Sequence, residues 1–217
     1  MTNPDETPPA DTREKRGRAA SRVRRDTQKQ ELREAILQAA SDLFLEQGYD
    51  GFSLRAVAER ISYSATTIYL YFKDKDELLF AVVDEGFRTF TAALAAAAES
   101  VAEPVARIQA IGQAYIDFGL SHPAHYRLMF MQRPDFLLSY RPGECEPRIH
   151  GFGALQDAVR QAIDAGALPG GDADAYSDAL WAMVHGVVAL AVSIPVFDPE
   201  RARRAAATQR QLMFGRT

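Results

Sequence analysis

The sequence predicts an all-α protein of about nine helices. Apolar residues recur at intervals of three and four through most of the 217-residue chain, as the buried face of a helix requires. Residues that commonly start helices, such as Ser53 and Pro104, stand at the beginnings of these apolar stripes. Strict alternation of apolar and polar residues, the mark of a half-buried strand, is missing from the sequence. These three observations favour helices packed on helices.

The N-terminal segment is polar and charged. Residues 1–26 contain three prolines and then a run of arginines and lysines, without apolar periodicity, which predicts a disordered basic arm. Thr27 and Gln30 form a capping-box pattern that predicts the start of the first helix, and Gly48 predicts its end.

Two short helices joined by a tight turn are predicted in the segment LRAVAERISYSATTIYLYF, residues 54–72. Ser53 and Ser64 are placed to cap them. The second helix starts with small polar residues and ends with large apolar ones. A helix that enters the major groove of DNA has this asymmetry, because its N-terminal residues approach the bases while its other end packs on a core. The segment therefore predicts a DNA-binding helix-turn-helix.

The remaining helices follow from caps and breakers in order. Asp74 and Glu77 predict the cap of a long helix, and Pro104 opens the next one. Ser121-His122-Pro123 predicts a break before a short helix. The later elements are expected as a loop over 132–147 and helices over about 150–165, from Asp172 or Asp174 to about 194, and from Pro199 to near 214.

Charge is distributed unevenly along the chain. Residues 13–75 hold 13 Lys/Arg and 9 Asp/Glu, a charge of +4, whereas residues 76–217 hold 12 and 17, a charge of −5. A basic front half suits contact with a polyanion. Cys145 is the single cysteine and cannot form an internal disulfide. The sequence shows neither a signal peptide nor an apolar run near the ~18 residues of a membrane span. These observations predict a cytoplasmic protein.

The segment ILQAASDLFLEQGYDGFSLRAVAERISYSATTIYLYFKDKDELLFAVV, residues 36–83, resembles the N-terminal domain of tetracycline-repressor (TetR) family regulators. Trp181-Ala-Met-Val-His185-Gly186 resembles a Trp…His-Gly motif of some C-terminal domains in that family. One departure is Ser62, which stands in the turn where the family often has glycine, so that a left-handed backbone there would cost stability. The resemblance implies a three-helix DNA-binding domain over 27–74 and a helical ligand-binding and dimerisation domain over 75–217.

The candidate DNA-binding residues combine short polar side chains, tyrosines and cations. Thr66 and Thr67 are short enough to reach base edges, and hydroxyls or amides at helix starts can hold phosphate. Arg24 and Arg25, in the basic arm, are expected to add affinity without sequence preference, although a solvated tail is the alternative. The full set is Arg24, Arg25, Ser53, Arg55, Ser64, Ala65, Thr66, Thr67, Tyr69, Tyr71 and Lys75.

Aromatic residues of the second half form the candidate ligand site. An apolar interior with a few polar groups suits a small-molecule cavity, although each residue alone is equally suited to an ordinary core. The candidates are Phe87, Phe90, Tyr115, Phe118, Tyr126, Met129, Phe130, Phe152, Trp181 and His185. His122 and His125 lack the further ligands that a metal site needs, so neither a metal nor a cofactor is predicted.

The resemblance implies a homodimer that pairs through its last two helices and binds an inverted-repeat operator, released when a small apolar or aromatic molecule binds. A repressor is favoured over an activator. Two other classes stay open: an α-helical enzyme or carrier that uses the cavity, and an architectural protein that binds DNA without specificity. Known catalytic motifs are missing from the sequence, which argues against the enzyme.

Overall fold

The computed structural model describes residues 10–132 and 147–215, and within these ranges it contains nine α-helices and one π-helical turn. The all-α prediction is therefore confirmed for the described residues. The chain forms two compact units, Met1–Leu78 and Leu79–Thr217. The first unit contains α1 (Ala10–Gly51), α2 (Leu54–Arg60), α3 (Ala65–Tyr69) and the start of α4 (Lys75–Glu99).

The first helix starts much earlier than the sequence predicted. Residues 10–26 are helical, so the prediction of a disordered arm is wrong for them, and residues 1–9 lie outside the described part of the chain. Residues 10–26 contain six arginines and three alanines, which are good helix formers, and Arg22 Nε lies 3.9 Å from Asp26 Oδ2 one turn later. The high charge of residues 10–26 is typical of a disordered segment, but their intrinsic helix propensity is high and the segment is helical.

The predicted capping box at Thr27 is wrong for the same reason. Thr27 lies inside the helix and donates from Oγ1 to the carbonyl oxygen of Val23 at 3.0 Å, and Gln30 bonds to Glu34. Gly48 breaks the helical geometry where expected, because its φ of 66° is left-handed, although helical residues resume as far as Gly51.

The turn between α2 and α3 forces one residue into a left-handed conformation. Ser62 has φ 60°, the one positive φ of a non-glycine residue in the described ranges. This agrees with the expectation that glycine would suit the position better. Ser53 and Ser64 both act as N-caps, accepting from the backbone N–H of Ala56 and Thr67, each at 3.1 Å.

The second unit continues from α4 through five further α-helices and one π-helical turn in its described residues. These are α5 (Pro104–Ser121), α6 (Pro123–Arg127), the π-helical turn (Leu128–Gln132), α7 (Pro147–Asp164), α8 (Ala173–Ser193) and α9 (Pro199–Phe214). Glu103, Asp172 and Asp198 cap α5, α8 and α9 with their carboxylates. The predicted loop at 132–147 and Cys145 fall largely on residues 133–146, which lie outside the described residues.

Helix α5 is central to the second unit, because it contacts α6, α7, α8 and α9. Its approach to α8 is close at Gly119, where a Cβ atom would collide with the side chain of Val188. The aromatic face of α5, which carries Tyr115 and Phe118, is buried in the interior.

Helix α8 is more apolar than the sequence analysis allowed. Over Ala173–Ser193 it is long enough and apolar enough to cross a membrane by length and composition, with a mean hydropathy of 1.4. Part of this apolar surface stays uncovered in the single chain: Leu190 is 42% exposed and Trp181 is 39% exposed. A core helix of a water-soluble protein can have the same length and composition, so these two properties alone do not identify a membrane span.

Candidate functional site

The N-terminal end of α3 presents a short row of hydroxyl groups. Ser64 Oγ lies 2.8 Å from Thr67 Oγ1, so the half-buried Thr67 hydroxyl is bound within the helix start. Thr66 is exposed on the neighbouring position, and Ala65 is half-buried. Of the two threonines in the predicted recognition segment, Thr66 therefore has the more exposed side chain.

The end of α3 is shorter than the sequence suggested. Regular helix stops at Tyr69, and a tighter turn follows in which Tyr71 N donates to the carbonyl oxygen of Ile68 at 2.9 Å. Tyr69 is 58% exposed while Tyr71 is half-buried. Ile68 is fully buried, so it anchors α3 to the core of the first unit. Both tyrosines follow this buried residue along the chain, and Tyr69 is the more exposed of the two.

Lys75 is held more firmly than a free phosphate-binding side chain would be. Its ammonium nitrogen lies 3.8 Å from the centroid of the Tyr49 ring and donates to the Tyr49 carbonyl oxygen at 3.4 Å. Asp74 caps α4 by accepting from Glu77 N, as predicted, while the Glu77 carboxylate accepts from Lys73 N. Lys75, which was predicted to bind DNA, therefore also contacts Tyr49 within the first unit.

Basic and aromatic side chains from α1 and the turn line a shallow groove in the first unit. Arg25, Lys29, Tyr63 and Tyr71 are among its residues. Arg24 and Arg55 are also exposed, as is Ser53. Lys29 and Tyr63 were missed by the sequence analysis. Lys29 lies one helical turn after Arg25. A helix predicted to extend through residue 25 would therefore have placed Lys29 on the same face as Arg25 and made it a candidate.

The second unit contains an apolar cavity of about 350 Å³ between side chains of α4, α5, α7, α8, α9 and the π-helical turn. Six of the ten predicted ligand-site residues line it: Phe87, Phe90, Tyr115, Phe130, Phe152 and Trp181. The other four, Phe118, Tyr126, Met129 and His185, do not line it, so their prediction as cavity-lining residues is not supported by the geometry.

The four residues lie behind the wall because of how the helices pack. Phe118 packs beside Phe90 at a centroid distance of 5.1 Å, and the His122 ring stacks on Phe118 at 4.8 Å. Met129 and Tyr126 are completely buried. Helical periodicity identified these residues as interior, but it could not say which interior positions border the empty space.

Aromatic rings form much of the cavity wall. The Phe90 ring meets Tyr115 edge-on at 5.2 Å and Phe130 at 5.8 Å, and Phe152 meets Trp181 at 5.7 Å. Polar residues at the cavity were missed by the sequence analysis, as were the aliphatic ones of α5. The missed residues that the cavity places beside the aromatic set include Ile108, Gln109, Ile111, Gln113, Asp178, Gln209 and Arg210.

A hydrogen-bonded network connects the cavity wall to the residues behind it. Trp181 Nε1 donates to Tyr115 Oη at 3.3 Å, and Tyr115 Oη lies 2.9 Å from His185 Nδ1. Tyr126 Oη lies 2.6 Å from the same nitrogen and 3.2 Å from Tyr115 Oη. The Trp…His pattern noted in the sequence is thus one end of a network that spans α5, α6 and α8.

Burial determines the protonation of this network. It raises the pKa of the Tyr115 hydroxyl to about 12 and raises the pKa of Tyr126 further, so both tyrosines keep their protons at neutral pH. It lowers the pKa of His185, which favours the neutral imidazole. The Nδ1 atom of the neutral imidazole can therefore accept a hydrogen bond from one of the two tyrosine hydroxyl groups that face it.

A metal site finds no support in the described part of the chain, where no group of three or more His, Cys, Asp or Glu side chains is placed to hold an ion. His122 and His125 are 6.0 Å apart between ring centroids, and His122 bonds to the carbonyl oxygen of Phe118.

These features of the described residues define an all-α protein with a helix-turn-helix unit and a second helical unit that contains an apolar cavity. Residues 36–82 match the family model for bacterial regulatory proteins of the tetR family, and residues 108–212 match the tetracyclin repressor-like C-terminal domain. The chain belongs to the TetR family and is a DNA-binding transcriptional regulator. The resemblance seen in the sequence is thereby confirmed.

Solved structures share the fold over most of the chain. A protein with unknown function from Rhodococcus sp. RHA1 is 28% identical, with a TM-score of 0.63, covering 84% of this chain and 95% of that one. The TetR family transcriptional regulator PfmR from Thermus thermophilus is 22% identical, with a TM-score of 0.66, covering 82% and 93%. A bacterial regulatory protein in the tetR family from Rhodococcus RHA1 is 23% identical, with a TM-score of 0.67, covering 81% and 93%.

Proposed function

We propose that this protein is a homodimeric, ligand-responsive repressor that leaves an inverted-repeat operator when a small apolar or aromatic molecule fills its cavity. The observation that carries the proposal is the cavity of about 350 Å³, which has the size and the apolar lining of a small-molecule site. A regulator with such a cavity has a physical route by which a metabolite or drug could control DNA binding. The protein would act in the cytoplasm.

The DNA-binding domain in this proposal covers residues 27–74, with the helical basic segment before it. Thr66 and Tyr69 face solvent and would contact DNA from α3, and Thr66 would reach a base edge. Arg24, Arg25 and Arg55 are exposed cations that would neutralise phosphates. Ser53 and Ser64 would use the exposed helix starts to hold phosphate oxygens, although their hydroxyls also serve as caps.

The dimer would form through α8 and α9. These helices carry large apolar side chains on the surface of the single chain, among them Leu190 at 42% and Leu212 at 76% exposure. A Cβ at Gly186 would meet nothing within 4 Å, which leaves space for a helix of a second chain. Exposed apolar area of this kind is typical of a protein interface, and a two-fold pairing would bury it twice.

The ligand-binding and dimerisation domain covers residues 75–217, and α4 would transmit the signal. Phe87 and Phe90 of α4 line the cavity, while the same helix begins at Lys75 next to the helix-turn-helix. A ligand that binds the non-DNA conformation more tightly than the DNA-bound one would shift the population towards release. The coupling free energy would equal the difference between the two binding free energies.

The proposal is tested by measuring binding of the full-length protein to the DNA that flanks its own gene, against a scrambled duplex, at two salt concentrations. Preference for the native duplex that persists at the higher salt would support specific regulation, and footprinting would then locate the inverted repeat. Equal binding to both duplexes, lost together as salt rises, would indicate an architectural DNA binder instead.

Candidate compounds added to the specific complex test the response to ligand. Release of DNA by an apolar compound supports the proposal, while chemical turnover of that compound would revive the enzyme alternative.

Variants of the hydroxyl residues of α3, such as Thr66→Ala, need a control outside the DNA-binding domain. Ser100→Ala is suitable, since Ser100 is an exposed residue just after α4 whose hydroxyl donates to the carbonyl oxygen of Ala97. Its operator affinity should equal that of the unmodified protein.

A further inference from the structure

The cavity has a hydrogen-bonding group in one wall. Tyr115 and Trp181 line the space directly, and the indole N–H of Trp181 donates to Tyr115 Oη at 3.3 Å. The rest of the network, His185 and Tyr126, does not border the cavity. A molecule in the cavity therefore meets a mainly apolar lining, in which Tyr115 and Trp181 add a phenol and an indole N–H to the polar side chains of Gln109, Gln113, Asp178, Gln209 and Arg210.

The charges near the cavity argue against an ionic ligand. Arg210 is the sole Arg or Lys among the lining residues that the structure describes, and its guanidinium is exposed and donates to Gln113 Oε1 at 2.9 Å. Asp178, which is also exposed, adds a single negative charge to the lining. Because both groups are exposed to water, they would compensate only weakly a carboxylate or ammonium that loses its hydration among the aromatic rings.

We infer that the ligand is an uncharged, mainly aliphatic or aromatic molecule with one hydrogen-bond acceptor, such as a carbonyl or ether oxygen, and that Tyr115 donates to that acceptor. This inference rests on the proposed ligand-responsive function, because it names the chemical class that the same cavity accepts. Tyr115 is then the residue that determines specificity, while the aromatic rings supply most of the affinity.

The network explains why Tyr115, and not Tyr126, serves as the donor. Tyr126 Oη is nearer to His185 Nδ1, at 2.6 Å against 2.9 Å for Tyr115 Oη, so it can hold that nitrogen alone. The Tyr115 proton can then turn to a ligand without leaving the buried imidazole nitrogen unpaired. Trp181 continues to donate to the Tyr115 oxygen and holds the ring in place. An exchange of partners of this kind avoids the penalty for an unsatisfied buried group.

The chain contains its own probe for the experiment. Trp181 is the single tryptophan of the protein and lines the cavity, so its fluorescence reports occupancy directly. Four compounds of similar length supply the comparison: hexyl methyl ketone, octane, octanoate and octylammonium. Each is titrated at pH 7.5 into the full-length protein and into the Tyr115→Phe variant, which removes the hydroxyl and keeps the ring.

The free energy of transferring a compound out of water is the same for both proteins, so it cancels when the affinity of one compound for the two proteins is compared. Loss of the hydroxyl should weaken binding of the ketone roughly three- to tenfold, the value of one neutral hydrogen bond, and leave octane unchanged. Octanoate and octylammonium should bind more weakly than the ketone. The matched control is Tyr176→Phe, a half-buried tyrosine of α8 that does not line the cavity, and it should change none of the affinities.

Three results would overturn the inference: an equal effect of Tyr115→Phe on ketone and octane, tighter binding of either ion than of the ketone, or no Trp181 response to millimolar ketone. A measurement without a variant guards against misfolding of Tyr115→Phe. The infrared carbonyl stretch of bound ketone should lie below its value in alkane solvent, as a hydrogen-bonded carbonyl requires, and an alkane-like frequency would contradict the donor role. If the ketone binds as expected but leaves operator binding unchanged, the regulatory proposal fails while the chemistry of the cavity stands.

Discussion

The hydroxyl of Tyr126 lies 2.6 Å from Nδ1 of His185 and connects α6 to α8 behind the cavity wall. Tyr126 has no exposed surface, and its ring is 5.6 Å from the imidazole between centroids. The bond requires an unprotonated Nδ1, because the tyrosine supplies the proton. The packing of these two helices is therefore sensitive to the charge of one histidine.

Stability should fall as the pH drops below the ordinary pKa of histidine. Burial lowers the pKa of His185 in the folded state from 6.5, so the unfolded chain takes up this proton first. The contribution is present above pH 6.5 and is lost as the pH falls from there towards the lower folded value. The measurement is the free energy of unfolding in urea between pH 7.5 and 5.5.

His185→Gln provides the comparison, since glutamine cannot take up the proton. The variant should be less stable at neutral pH, because it loses the Tyr126 contact, and its stability should change less with pH over the same interval. Parallel pH profiles for the two proteins would show that His185 has no part in the acid sensitivity.

A glycine at position 62 should stabilise the protein. Ser62 has φ 60°, and a left-handed conformation costs a residue with a Cβ atom roughly 1–2 kcal/mol. Ser62→Gly should raise the free energy of unfolding by about 1 kcal/mol, less than the full strain because glycine also gains freedom in the unfolded chain. Ser62→Ala retains the Cβ atom and should bring no such gain, so equal gains in both variants would rule out backbone strain as the cause.

Local signals in the sequence were sufficient for most helix starts. Ser53, Ser64 and either Asp172 or Asp174 were expected to cap helices from their neighbours alone. In the structure Ser53, Ser64 and Asp172 each accept a backbone hydrogen bond. A cap depends on a few adjacent residues, so the sequence contains nearly all the information. The lining of the cavity depends instead on how distant helices cross, which is why His185 was placed in it although the residue lies behind the wall. The early start of α1 is hard to predict because the high charge of residues 10–26 is typical of disordered segments, although the arginines and alanines there favour a helix.

An ion pair on the first unit gives a second test of the electrostatics. The two terminal nitrogens of Arg60 in α2, Nη1 and Nη2, donate to the carboxylate oxygens of Glu46 in α1 at 3.1 and 2.6 Å. This hydrogen bonding lowers the pKa of the Glu46 carboxyl below 4.5. The favourable contribution is therefore present above pH 4.5 and is lost as the pH falls through the folded value. In Arg60→Gln the pKa of Glu46 should return towards 4.5, which an NMR titration of its side-chain carboxyl carbon would detect. An unchanged titration would mean that the pair does not persist in solution.

The two threonines of α3 should differ in their effect on DNA binding, if the proposed function holds. Thr66→Ala removes an exposed hydroxyl and should cost about 1–3 kcal/mol at one operator position, relaxing the base preference there. Thr67→Ala removes the group bound to Ser64 Oγ at 2.8 Å and should mainly lower thermal stability. Binding to a panel of single-base operator variants, together with a melting curve for each protein, separates the two effects. A base-specific loss confined to Thr67→Ala would reverse the assignment.

The contact between α5 and α8 should tolerate no added atom at Gly119. A Cβ there would collide with Val188, which is fully buried, and would lie 3.1 Å from Cδ2 of Tyr126, so the helices must separate. Gly119→Ala should lower the free energy of unfolding by about 1–3 kcal/mol, the usual cost of overpacking, even though alanine favours a helix. Gly112→Ala on the same helix is the matched control: its Cβ would meet Val184 Cγ1 at 3.6 Å, an ordinary contact, so the variant should be as stable as the original protein or more so. Equal stability of the two variants in chemical denaturation would mean that the helices are not as closely packed as their side chains indicate.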